Sequence, residues 1–318
     1  MKFAGHETFH LRDGWLRKGL SVCHVPGEKG LLSPGAADIL GIGSNMIKSI
    51  RHWLNATQLT CGVAEEENGK VTMRSELAKV IMEYDPYFQS EATWWALHVN
   101  LVQNSDFAFA WNWFFNDFKA NRFEKAYCVE SLKRSLEYNP SLRCPAQKTL
   151  EKDISVILAS YAQSIPRLDL TPEDTKDCPF LRLGLLTFSR ESGFFIPQFG
   201  TKTIPSVMLG YSIVASETGE SSNEGKDYVS LSITEAVSRR SGPGRALLMR
   251  PEELYDFALK AEQELGEEWI RVRGMAGNRM IEIKNTSKEE WLKLALSTEQ
   301  SQLTSWRQKL DKQLLKIG

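Results

Sequence analysis

His6, Glu7 and His10 stand at the spacing H-E-x-x-H, with which a helix sets two imidazoles on one face to bind zinc and a glutamate beside them as general base. That chemistry needs a regular helix and a third protein ligand further on. Here Gly5 precedes the first histidine, Thr8 and Phe9 are mediocre helix formers, and the nearest carboxylate at a plausible distance, Glu28, falls in the turn-like PGEKG stretch. Zinc proteolysis is a poor fit. Two other readings remain open. In one, His6 and Glu7 are structural, hydrogen-bonding within a folded segment whose Phe3, Phe9, Leu11, Trp15 and Leu16 join the core. In the other, His6, Glu7, Arg12 and Asp13 cluster near a phosphate or metal ion. A carboxylate can hold magnesium, a histidine can move protons near neutral pH, and an arginine can neutralise phosphoryl charge, so these types suit phosphodiester chemistry.

A second group lies in SPGAADILGIGSNMIKSIRHWLNATQL, residues 33–59. Ser33-Pro34 signals a helix start, Gly41-Ile42-Gly43 a tight turn, and Ser44 a cap. Beyond it Met46, Ile47, Ile50, Trp53 and Leu54 recur at three-to-four spacing, so two short helices form a helix-turn-helix. Off the apolar face stand Asn45, Lys48, Ser49, Arg51, His52 and Asn55, types that hold phosphate or read guanine and adenine edges. A solvated helix face or a protein contact would carry the same residues. TCGV and KVTM read as wing strands about an Asn68-Gly69 turn, although Glu65, Glu66 and Glu67 at the tip would repel phosphate.

Basic residues recur near the C-terminus. Arg239, Arg240, Arg245 and Arg250 surround Gly242-Pro243-Gly244, which reads either as an anion-contacting loop or as a sharp structural turn. Arg271, Arg273 and Arg279 lie on a hairpin about Gly277-Asn278. The glycine loop lacks the Gly-Lys-Ser/Thr ending of a P-loop, so nucleotide hydrolysis is not expected. Neither G-x-S-x-G nor a spaced Cys/His set occurs.

The elements that must position these residues fall into three parts. An N-terminal segment with a winged helix-turn-helix spans 1–90, an aromatic helical middle 91–165, and an α+β, winged-helix-like domain 178–318. The class is mainly α with α+β parts. The stretch from Thr93 to Phe118 is aromatic almost all round, as a buried helical pair requires. Polar SETGESSNEGK, 216–226, reads as a mobile loop. Formal charge is -1, so a polyanion would have to bind a local patch. Five cysteines without C-x-x-C, and no apolar run of membrane-spanning length, lead to a cytoplasmic expectation, with no membrane partner.

FAGHETFHLRDGWLRKGL (3–20), LGIGSNMIKSIRHWLNAT (40–57) and DPYF (85–88) together resemble a bacterial family long carried as a domain of unknown function. It includes the DNA-nicking component of single-strand DNA phosphorothioation systems. The family pattern maps onto Gly5 to Phe9, Arg12, Trp15, Leu40, Gly41, Gly43, Asn45, Met46 and Ser49 to Leu54; His10 lies outside it. PGRALLM, from Pro243, is a weaker match. The resemblance implies phage defence through DNA phosphorothioate modification and a nicking activity dependent on a divalent metal, Mg2+. It also implies two partners, a cysteine desulfurase and an ATP-pyrophosphatase of the PAPS-reductase type. His6, Glu7 and Arg12 become the catalytic candidates, with Glu7 as metal ligand. Asn45, Lys48, Arg51, His52, Arg240, Arg245, Arg271 and Arg273 are the DNA-binding candidates. The competing expectation is a non-catalytic winged-helix adapter or regulator that recruits the sulfur-transfer enzymes.

Overall fold

The computed structural model describes residues 1–23, 30–32, 35–66, 69–165, 178–200, 202–217, 225–275 and 278–314, with side chains at all of these except 65–66, 69–71, 275 and 306–314. An irregular N-terminal segment leads into α1 (Trp15–Ser21), α2 (Ala36–Leu40) and α3 (Ser44–Ala56). Gly41 ends α2 in the left-handed region, φ 63°, which glycine adopts without the Cβ penalty. The expected Ser33-Pro34 start lies outside the described residues, and Gly35 occupies the N-cap of α2. Ser44 is the first residue of α3 rather than its cap; Gly43 takes the cap position. Ile47, Ile50, Trp53 and Leu54 are buried on α3, whereas Asn45 and Lys48 remain exposed.

Strands β1 (Thr60–Glu66) and β2 (Gly69–Arg74) form an antiparallel hairpin, Glu66 opposite Gly69, with Cys61 as the extra residue of a bulge. Its side is tied down by Arg74, whose guanidinium donates twice to the Leu20 carbonyl at 2.7 and 3.1 Å. Next comes α4 (Glu76–Tyr84), capped by the Ser75 hydroxyl. Asp85 then turns the chain before Pro86: its carboxylate accepts from the Gln89 and Ser90 N–H groups and the Thr93 hydroxyl.

Helices α5 (Glu91–Gln103) and α6 (Phe109–Asn116) form the expected aromatic pair, and every residue of α5 from Ala92 to Val102 is buried. Trp53, Trp95, Trp111 and Trp291 are all fully enclosed. Each such ring removes roughly 150–250 Å² from water, about 4–6 kcal/mol at 25 cal/mol per Å². Three buried polar members of α5, Thr93, His98 and Asn100, are paired. Asn100 donates to the Thr57 carbonyl at 3.0 Å; His98 Nε2 lies 2.8 Å from the Ala246 carbonyl and Nδ1 2.9 Å from the Tyr161 hydroxyl.

Helices α7 (Lys125–Glu137) and α8 (Gln147–Tyr161) complete the middle. Strand β3 (Ala162–Ile165) runs parallel to β4 (Leu186–Ser189), which pairs antiparallel with β5 (Phe195–Pro197). There follow α9 (Val207–Ser216), β6 (Tyr228–Ser232), α10 (Ile233–Ser238), α11 (Pro243–Ala246) and α12 (Pro251–Leu265). The chain closes with β7 (Ile270–Met275), β8 (Asn278–Lys284) and α13 (Lys288–Leu314), the third sheet having the antiparallel order β6-β8-β7. Met275 pairs with Asn278, so Asn278 belongs to the strand and not to the turn. Gly210 of α9 sets the approach of α13: a Cβ there would lie 2.4 Å from the Trp291 ring.

The fold is thus mixed α/β and dominated by helix, with three small sheets among the described residues. One hydrophobic cluster runs from Leu11 to Leu296. No helix among the described residues is long and apolar enough to cross a membrane.

Candidate functional site

Residues 4–8 form no helix. They fold as successive turns in which Ala4, Glu7 and Thr8 take φ of 51°, 51° and 69°, conformations non-glycine residues rarely adopt. Such strain persists only where surrounding structure imposes it. Here the imposing group is Asp153 of α8, buried to 2% exposure. Its Oδ1 accepts from the Ala4 N–H at 2.8 Å and lies 2.6 Å from His6 Nε2. His6 Nδ1 accepts the Thr8 N–H at 3.1 Å, so the ring proton sits on Nε2 and is donated to Asp153. The His6 ring is enclosed by Trp53 of α3, Trp111 of α6 and His52, with centroids 5.7 to 6.4 Å away.

This arrangement dismantles the H-E-x-x-H match. His6 is turned inward, and His10 Nδ1 lies 3.1 Å from the Leu11 carbonyl. Among the described residues no three His, Cys, Asp or Glu side chains are grouped to hold a metal ion.

Pinning the turn places Glu7 at an open cleft of about 480 Å³, lined also by Lys2, Phe3, Ala4, Gly5, Lys48, Arg51, His52 and Asn55. Lys48, Arg51, His52 and Asn55 come from successive turns of α3, where three- and four-residue spacing brings them to one side. Asn55 is engaged, donating to the Arg51 carbonyl at 2.7 Å and accepting from the Thr60 hydroxyl at 3.1 Å. Lys48 reaches Asn45 Oδ1 at 3.3 Å. The Lys2 ammonium, the Arg51 guanidinium and the Glu7 carboxylate form no hydrogen bond or ion pair among the described residues. Three cations and one carboxylate therefore share an open cleft without forming an ion pair among the described residues.

His52 forms its inner wall. Only 3% exposed, it has no hydrogen-bond partner for either ring nitrogen among the described residues. Burial, then the adjacent His6 and Lys2, lower its pKa from 6.5 to about 3, so at neutral pH it offers one donor and one acceptor rather than a charge. Gly5 makes room for it: a Cβ would sit 2.5 Å from His52 Nδ1.

The other candidates lie elsewhere. Arg12 packs over Phe9 and Trp15, 5.5 and 5.3 Å from the ring centroids, and does not line the cleft. His6, Glu7 and Arg12 therefore do not surround one cavity; only Glu7 faces it. Arg240 is paired with Asp117 and donates to Asn112 Oδ1 at 2.7 Å. On the β7–β8 ribbon Arg271 donates to the Tyr228 hydroxyl at 2.8 Å and covers its ring, Arg273 pairs with Glu267 at 3.1 Å, and Arg279 with Glu252 at 2.5 Å. Gly244 is explained by packing, since a Cβ would meet the Val237 backbone at 2.4 Å. Arg245 lines a separate, mostly apolar cavity.

Asp153 and Lys2 are the residues that the sequence reading missed. Lys2 carries no local signal. Asp153 carries one: it falls on the apolar stripe of α8, beside Leu150, Ile154 and Ile157, where a charge needs a buried partner.

Two solved structures share this fold. A crystal structure of SspB aligns with a TM-score of 0.76 at 24% identity, covering 94% of this chain and 87% of that one. A magnesium ion-bound SspB crystal structure aligns with the same TM-score and coverage at 23% identity. No curated protein matches the chain significantly. The model of a family described as protein of unknown function, DUF4007, matches residues 3–297, and the chain belongs to that family.

Proposed function

We propose that this chain is the DNA-binding, strand-nicking component of a DNA phosphorothioation system, with the cleft between the N-terminal turn and α3 as its phosphodiester site. The observation that carries this reading is the meeting of Glu7, Lys48, Arg51 and His52 in one open cleft, with the charged groups of Glu7 and Arg51 unpaired among the described residues. In this reading α2, α3 and the β1–β2 hairpin act as a winged helix-turn-helix that brings α3 to DNA. Lys48, Arg51 and Lys2 neutralise a backbone phosphate, while His52, whose ring nitrogens are buried behind the cleft, would hydrogen-bond an oxygen only after its ring turns outward. Glu7, the one carboxylate lining the cleft among the described residues, orients the attacking water. The SspB likeness supports the system; a cysteine desulfurase and an ATP-pyrophosphatase are the partners that the sequence resemblance implies.

The fit to magnesium rests on the donor set. Magnesium is commonly held by one or two carboxylates together with substrate phosphate and water. Glu7 beside a bound phosphate supplies that set, whereas Glu7 alone among three cations does not. Glu7 would therefore hold the ion only with DNA present, where it supplies charge neutralisation at the reacting phosphate. The excess of cations in the cleft, Lys2, Lys48 and Arg51 beside Glu7, also fits a second reading, a non-catalytic adapter that holds DNA for its partners.

Conversion of supercoiled plasmid to open circle, measured with magnesium or EDTA, separates the two. Magnesium-dependent nicking abolished by Glu7→Ala, with the fold intact by circular dichroism, supports the nickase. Gel shifts that persist in EDTA without any nicking support the adapter.

A further inference from the structure

A second cavity, of about 230 Å³, opens at the far end of α6 from the cleft. Phe109 and Trp111, at the N-terminal end of that helix, pack on Phe3 and His6; Phe114, Phe115 and Phe118, at and beyond its C-terminal end, line the cavity. Across from them stand Phe199 and residues of the Gly242-Pro243-Gly244 loop and α11. Lys119, Arg245 and Arg250 rim the opening, and no carboxylate is among the lining residues. None of the three cations forms an ion pair among the described residues; Arg250 lies over the Phe199 ring, 5.0 Å from its centroid. Phe118 and Phe199 are half-buried.

We propose that this cavity binds a single nucleotide, its base between the phenylalanine rings and its phosphate on Lys119, Arg245 and Arg250. Aromatic faces beside a positive rim are the means by which proteins hold unpaired bases without reading their sequence. The volume lies below the roughly 300–1,000 Å³ of sites for drug-sized ligands, which suits one planar ring system better than a lipid chain or a peptide. The cations favour an anionic group on that ring. The nucleotide can arrive free or as an unpaired residue of a DNA strand. This site is independent of the reading of the Glu7 cleft.

The test is equilibrium binding of dAMP, deoxyadenosine, octanoate, and single- and double-stranded oligonucleotides to the full chain. Saturable dAMP binding, weaker for deoxyadenosine, is expected. Phe199→Leu keeps an apolar side chain and removes the stacking face, and should weaken binding by about 5- to 150-fold, the range of one base stack. Arg245→Ala should weaken dAMP but not deoxyadenosine. Single strands that compete with dAMP, where duplex does not, identify the DNA source; dAMP binding without such competition identifies the free nucleotide. Binding of dAMP that falls with Lys48→Ala/Arg51→Ala and not with Phe199→Leu belongs to the cleft and overturns the proposal. Absence of saturable dAMP and oligonucleotide binding, indifference to both Phe199→Leu and Arg245→Ala, or tighter binding of octanoate overturns the proposal.

Discussion

Asp153→Ala should loosen the N-terminal turn and destabilise the whole chain, although residue 153 lies in a helix far along the sequence from the site. The native carboxylate serves two donors on one oxygen, His6 Nε2–H and Ala4 N–H. Removing it strands a buried imidazole N–H, at roughly 1–3 kcal/mol, and a half-buried amide at rather less. A total of about 3 kcal/mol follows from the two stranded donors. An unfolding entropy of roughly 2.1 cal/mol/K per residue over 318 residues converts this to a fall in Tm of about 4–5 °C. Asp153→Asn keeps an acceptor oxygen and should cost only about 1–1.5 kcal/mol, because a charge-assisted hydrogen bond becomes a neutral one. Calorimetry gives both values. Because the strained turn at Glu7 depends on these bonds, amide exchange at residues 4–8 should quicken in both variants, more in Ala than in Asn. An Asp153→Ala protein melting within about 1 °C of wild type would refute the reasoning, since a satisfied buried pair cannot be lost so cheaply.

Three further outcomes are expected. Lys48→Ala/Arg51→Ala should leave Tm almost unchanged and lower the slope of log affinity for duplex DNA against log salt by about 2, one for each phosphate no longer neutralised; an unchanged slope removes α3 from the interface. Gly5→Ala forces a methyl to within 2.5 Å of His52 Nδ1 and should cost about 1–3 kcal/mol by denaturant titration, unless the imidazole swings into the cleft, which histidine NMR shifts would reveal. His52 and His98, whose pKa values are lowered from 6.5 to about 3 and about 4, bind fewer protons folded than unfolded. Their contribution to stability is complete above pH 6.5 and is lost as pH falls towards those folded values, at up to about 1.4 kcal/mol per pH unit for each ring. Urea titrations between pH 7 and 5 should show the fall, and His98→Gln should reduce its slope by about half.

Local pattern was enough to find α3, the glycine turn before it, the hairpin after it and the aromatic α5–α6 pair, because periodicity and turn chemistry are written in neighbouring residues. It was enough to single out Glu7, Lys48, Arg51 and His52 by type. It did not distinguish a free cation from a paired one. Arg51 and Arg273 look alike along the chain, yet Arg273 meets Glu267 across a strand end while Arg51 has no partner among the described residues. Nor did it show that His6 faces Asp153, 147 residues away, or that Arg12 rests on aromatic rings. Those facts depend on which helices pack together, and packing is decided by the summed burial of a core that runs from Leu11 to Leu296. Sequence determined the chemical types available and the elements that carry them; tertiary structure decided which of those groups meet, which are cancelled, and which are left facing the cleft.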